Sequence, residues 1–323
     1  MPRLLSLYLT LLMLGGLPAL ALAERIGDFT ITPDQSLIPL DEIHSGGPAK
    51  DGIPAIDQPR FLTAQAAGHL KPASRILGLH WHGVTKAYPI AIMNWHEIVN
   101  DRFGDEPVII TYCPLCGSGV AFSAQIAGET LQFGVSGLLY NSDVLLYDRK
   151  TQSLWSQLLA RAVTGKMKGT RLKILPLVVT NWAQWRQQYP DTQVLSRETG
   201  FLRDYDRDPY TGYESSTGIY FPVKQRDSRY HPKEQIYGLT VAGQHKAYPV
   251  AELSRRAGEE IKDQFAGRSF TIRYQRASQS ARFYDQQGKE VPVIRAYWFA
   301  WYAFHPDTAV FSRDATDADS QRY

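Results

Sequence analysis

The sequence predicts an α+β fold: two unequal pseudo-repeats of a β-hairpin, a helix and a mainly antiparallel sheet, packed together. Three observations carry this. "ILGLHWHGVTKAYPIA" (76–91) and "IYGLTVAGQHKAYPVA" (236–251) match at Ile, Gly-Leu, Gly and Lys-Ala-Tyr-Pro, at an offset of 160 residues. "WAQWRQQYPDTQVLSR" (182–197) and "WFAWYAFHPDTAVFSR" (298–313) share Trp-x-x-Trp, Pro-Asp-Thr, Val and Ser-Arg, at an offset of 116. Two matches in one order indicate a duplicated unit. With 12% aromatics and 25 glycines, the composition fits a globular chain rich in strands and turns rather than a helical bundle.

The elements follow in order. Residues 1–23 read as a signal peptide: Arg3, an apolar run, Gly15, Gly16 and Pro18, then Ala21-Leu22-Ala23 before the cleavage point. The mature chain is therefore expected to be periplasmic or secreted, with no later segment long and apolar enough to span a membrane. Residues 24–75 hold turn clusters and little periodicity, and read as an extended N-terminal arm. The first repeat, 76–199, opens with an alternating stretch that turns at Gly83. Pro89 then stands where a helix tolerates proline, and strand residues resume in "NDRFGDEPVIITY" (100–112). Trp182 and Trp185, at i and i+3, share a helical face that is expected in the core. Residues 200–235 are a polar linker loop. The second, shorter repeat, 236–315, turns at Gly243 and repeats the Trp pair, and 316–323 is a tail.

The difference between the two offsets leaves 44 extra residues in the first repeat, around Phe133–Gly169. The only two cysteines lie there as well, in "ITYCPLCGSGVAF" (110–122). Aligning Ile110–Tyr112 with Ile272–Tyr274 puts Gln275 and Ser278 where the first repeat has Cys113 and Cys116. Only the first copy carries thiols.

A Cys-x-x-Cys that follows a strand and precedes another alternating run resembles a metal knuckle, whereas a thioredoxin-type pair sits at a helix N-terminus. A knuckle supplies two ligands, and tetrahedral zinc or iron normally wants four. His96 is the expected third, because a helix from Pro89 would put it on one face with Ile92, Val99 and Phe103. His80 is a weaker fourth, and His82, beside the Gly83 turn, is expected to face solvent. Copper, zinc and iron all suit such a set. The inserted segment adds Tyr140, Asn141, Asp143, Tyr147, Asp148, Arg149, Trp155 and Gln157 as pocket residues, with Asp148 and Asn141 as catalytic candidates; an ordinary hairpin with polar turns explains them equally well. Two alternatives stay open. The same cysteines could run a thiol–disulfide cycle as an enzyme or sensor, or the aromatic-rich hairpin could be a non-catalytic module gripping a small molecule or a periplasmic protein. An inert staple is disfavoured, since a bridge over three residues closes almost no loop.

Several classes are excluded or weak. Net charge is +3 with both signs interspersed, and no basic cluster is interleaved with aromatics, so no nucleic acid is expected. No phosphate loop, dinucleotide fingerprint, Gly-x-Ser-x-Gly or His-Glu-x-x-His appears, so no nucleotide cofactor is expected. Asp204, Asp206 and Asp208 alternate like the start of a calcium loop, but Pro209 and Ser215 stand where glycine and glutamate are needed.

The segments "KAYPIAIMNWHEIVND", "VIITYCPLCGSGVAFSAQIAGETLQFGVSGLLYNSDVLLYDRKTQSLWSQ" and "LRDYDRDPYTGY" together resemble the bacterial domain-of-unknown-function family 3179, across roughly 76–212. The resemblance implies that Asn94, His96, Cys113, Cys116, Asn141, Asp148 and Trp155 belong to the family pattern. It brings no activity, substrate or cofactor.

Overall fold

A computed structural model describes residues 23–256, 258 and 260–312. The expected signal peptide and the tail lie outside the described residues, apart from Ala23. The chain is mostly β-sheet with four short α-helices among the described residues: α1 (Ile90–His96), α2 (Trp182–Gln188), α3 (Val250–Ser254) and α4 (Trp298–Phe304). The α+β class is borne out.

Each Lys-Ala-Tyr-Pro segment forms the second strand of a hairpin. Arg75–Trp81 pairs with Val84–Pro89, and Gln235–Val241 with Gln244–Pro249, in matching registers (Ile76↔Pro89 and Ile236↔Pro249). His82 and Gly83 both have positive φ, as do Ala242 and Gly243. That is the two-residue turn whose twist suits paired strands. Each proline ends its strand and caps the helix that follows, one position earlier than the first-turn placement expected.

Corresponding contacts recur in the two halves. Trp185 packs against Gly78 so closely that a Cβ there would stand 2.5 Å from the indole, and Trp301 meets Gly238 at 2.2 Å. The indole N–H groups donate to Thr192 and Thr308 at 2.9 and 3.0 Å. Lys86 pairs with Asp101 and Lys246 with Asp263, each at 2.8 Å, and Tyr88 and Tyr248 donate to the same two carboxylates. The tryptophans are core residues, as expected.

Two sheets and the insert position the site. A central sheet runs Ala309–Val310, Gln244–Pro249, Gln235–Val241, Ile294–Tyr297, Ser118–Ser123, Glu106–Cys113, Ile98–Phe103, so it draws strands from both sides of the linker. A five-stranded sheet contains the Arg75–Pro89 hairpin and meets the central one where Leu77 fills the space a Cβ on Gly119 would occupy. The inserted residues make a third sheet, in which Phe133–Tyr140 and Asp143–Asp148 are joined by Leu154–Ser156 and by Ile43–Ser45 from the N-terminal arm. One hydrophobic cluster includes Cys113, Cys116, Phe133, Trp155, Ile236, Ile294 and Trp301. No helix among the described residues is long and apolar enough to cross a membrane.

Candidate metal centre

CPLCG is the turn that joins Glu106–Cys113 to Ser118–Ser123, closed by the pair Cys113↔Ser118. No helix follows it. Gly117 is required twice over: its φ is +58°, and a Cβ would lie 2.7 Å from the Tyr297 ring. The Tyr297 N–H donates to the Cys116 carbonyl at 2.7 Å and pins the turn to the neighbouring strand.

The third side chain comes from the insert. Asn141 and Ser142, with φ of +50° and +65°, form a two-residue hairpin turn, so Asp143 is the first residue of the returning strand. That register brings a carboxylate oxygen of Asp143 and both sulfurs within 4.8 Å of one another. Cys113, Cys116 and Asp143 are 1%, 0% and 0% exposed, and both thiols are free.

Partners are scarce at this point. Asp143 Oδ2 accepts from the Leu158 N–H at 3.1 Å and Ser156 Oγ at 3.4 Å, whereas Oδ1 and the Ser142 hydroxyl are buried without a hydrogen-bond partner. Buried polar atoms without partners are uncommon in native proteins and mark sites that take an ion or water. Burial pushes the Asp143 carboxyl up to about 7, against the pull of its hydrogen bonds. Burial also holds the Cys116 thiol well above its ordinary range, helped by Cys113 and Asp143. Without a cation, burial thus favours the protonated forms of Asp143 and Cys116, and a bound cation would reverse that preference.

Two more ionisable groups face the triad. Glu97 caps α1 in a left-handed conformation (φ +58°), and its buried carboxyl, with no hydrogen bond among the described residues, is raised to about 8 by burial and by Asp143. Lys233 is buried over the Tyr213 ring at 3.8 Å and donates to the Ser216 and Gly218 carbonyls; burial lowers it to about 8, and Cys116 opposes the shift.

The family model described as "Protein of unknown function (DUF3179)" matches residues 50–308. The chain belongs to this family. Comparison with curated proteins and with solved structures returned no match.

In this DUF3179 protein three of the expected residues, Cys113, Cys116 and Asp143, converge, and most of the others make their contacts elsewhere. His96 does not reach the cysteines: its Nδ1 lies 2.7 Å from the Pro54 carbonyl and its Nε2 2.7 Å from the Tyr205 hydroxyl, and Asp143 takes the third place. The physical reason is that α1 stops at His96. Ile98 already starts a strand, so the helical spacing to Val99 and Phe103 does not apply. Asp148 accepts from Thr151 and from Trp155 Nε1 at 3.0 Å, fixing a hairpin end. Asn141 bridges Ala303 and Lys224, Tyr140 packs edge-on against Phe304, Tyr147 donates to Asp51, and Arg149 pairs with Asp57. Gln157 bonds Thr111 and Ser118 beneath the knuckle, and Asn94 donates to Asp208 on the linker loop. His80 stacks on Tyr189, and His82 meets Glu106 at 3.4 Å. The sequence reading missed Glu97, Lys233 and Tyr213 as site residues. Only Glu97 carried a signal, its position directly before a resumed strand.

Proposed function

We propose that Cys113, Cys116 and Asp143 hold a zinc or iron ion and leave a fourth coordination position open. The carrying observation is the convergence of two thiol sulfurs and a carboxylate oxygen within 4.8 Å in a fully buried setting. Ligand atoms around a tetrahedral zinc stand about 3.5–3.8 Å apart, given metal–ligand bonds of about 2.0–2.3 Å, so a small contraction suffices. A carboxylate in place of imidazole favours zinc or iron over Cu(I), which prefers soft donors throughout. Such an ion would act as a Lewis acid at its open position. Binding it would displace the protons that burial favours on Asp143 and Cys116. The reading extends to two unequal copies of one unit, only the first bearing the site, in an exported protein; the recurrent Gly–Trp, Lys–Asp and Tyr–Asp contacts support the first part and residues 1–23 the second.

The test is metal analysis of protein purified without chelator, and of that protein after addition of Zn(II), Fe(II) or Cu(I). One ion per chain is expected, lost in Cys113→Ser and Cys116→Ser and weakened at least tenfold in Asp143→Asn. A site that stays empty under all three additions overturns the reading.

A second reading has its own support. Both thiols are free, and both sulfurs lie within 4.8 Å of an Asp143 carboxylate oxygen. In a thiol–disulfide cycle the deprotonated sulfur attacks a disulfide of a partner, the second thiol displaces that partner as a thiol, and Cys113–Cys116 is left oxidised. A reversible two-electron potential in metal-free protein, measured against a glutathione couple and absent in Cys113→Ser, would favour this cycle.

A further inference from the structure

We infer that the space beside the knuckle, bounded by Arg75, Tyr213, Gln235 and Tyr297, binds a small molecule bearing an oxyanion. Three buried donors there have nothing to donate to. The Tyr213 hydroxyl makes no hydrogen bond, a backbone group of Tyr220 that faces it falling outside hydrogen-bond geometry. The Gln235 amide nitrogen is unpaired, and its identity is fixed because the amide oxygen accepts from Arg295 Nε at 3.0 Å. Arg75 Nη2 is also unpaired, while Nη1 reaches Glu214 at 3.4 Å. Tyr213 and Gln235 are 2% and 8% exposed.

All three border one ring. Gln235 is the cross-strand partner of Tyr297, the Tyr213 ring centroid is 6.5 Å from it, and Arg75 interacts with it electrostatically. Leaving a buried donor unmade costs about 1–3 kcal/mol each, so three together are costly unless something supplies acceptors. The missing partners are acceptors only, and the fixed charge has the matching sign: Arg75, Arg295 and Lys233 against Glu214. A carboxylate or phosphate group answers both requirements. Tyr213 interacts electrostatically with both cysteines, so the ligand would sit next to them. The residues come from three places, the Arg75 strand, the linker loop and the Gln235 strand, which is why no contiguous motif announces them.

The inference does not depend on the metal reading, and its test is run on chelator-treated protein. Acetate, inorganic phosphate and sulfate are titrated calorimetrically against the full chain. Saturable binding of at least one is expected, weakened about fivefold or more in Tyr213→Phe and Gln235→Leu and more than tenfold in Arg75→Met, with exposed Arg102→Met unchanged. Tyr213→Phe keeps the ring under Lys233, so folded protein that has lost affinity isolates the hydroxyl. The strongest of the three anions identifies the carboxylate or phosphate class. No saturable binding by any of them, or binding that the three variants leave unchanged, overturns the inference.

Discussion

Glu97 combines three costs at one residue: a left-handed backbone without glycine, burial to 7% exposure, and a carboxyl with no hydrogen bond among the described residues. Such strain persists only where the surroundings impose it, and it clusters at functional sites. Its raised proton affinity has a definite consequence for stability. In the unfolded chain the carboxyl ionises near about 4.3, and in the folded chain only at about 8. Between those values the folded state holds the extra proton. Stability therefore falls as pH rises through that window, at up to about 1.4 kcal/mol per pH unit, and levels off above it. Asp143 adds a fall of the same sign that ends at about 7. Denaturant titrations of chelator-treated protein across this range should show Glu97→Gln flattening the decline between about pH 5 and about pH 8. An unaltered slope would mean that Glu97 ionises as it does in water. The cysteines were legible from the sequence because spacing and flanking strands define a knuckle. Glu97 and Lys233 were not, because desolvation is created by packing between distant segments and leaves no local mark.

At the level of the element, the tight turns and close packings rest on a few glycines. Gly78 and Gly238 give the indoles of Trp185 and Trp301 their seats, with a Cβ brought to 2.5 and 2.2 Å. Alanine at either position should cost about 1–3 kcal/mol through overpacking, read as a lowered denaturant midpoint with an unchanged slope; full stability would mean that the indole can swing aside. Gly117→Ala should act differently, since it meets both a positive φ and the Tyr297 ring. It is expected to distort the knuckle and remove metal binding in protein that still folds, checked by metal content and circular dichroism. The repeated Lys-Ala-Tyr-Pro hairpins and Trp helices were readable because each is local and punctuated by Gly or Pro. The third member of the Cys113–Cys116–Asp143 group was not, although Asp143 stood among the candidates. Its approach to the cysteines depends on a two-residue turn at Asn141 and Ser142 and on how the inserted sheet docks, whereas the helical period that points to His96 does not continue to Val99 and Phe103, which lie on a strand.

Across the molecule, the seam between the halves is thin in hydrogen bonds and thick in apolar contact. Strands Ile294–Tyr297 and Ser118–Ser123 are joined by the single register pair Arg295↔Gly119, with the Tyr297 N–H to Cys116 carbonyl bond beside it. Yet Val120 and Phe122 belong to one cluster with Ile236, Ala247, Ala296, Trp298 and Trp301. If the hydrogen bonds governed cooperativity, the halves would open separately. Burial at about 25 cal/mol per Å² favours the shared core instead, because neither half can expose that face cheaply. Native-state hydrogen exchange should therefore find the slowest amides of Glu106–Cys113 and of Gln235–Val241 exchanging through one opening, with free energies equal within about 1 kcal/mol and the same denaturant dependence. A second half that opens several kcal/mol more easily than the first would show the seam to be a domain boundary. Because the knuckle turn is bonded to the second half through Tyr297, such independent opening would also release Cys116, and the thiols would react with alkylating reagents at the rate of that local opening rather than of global unfolding.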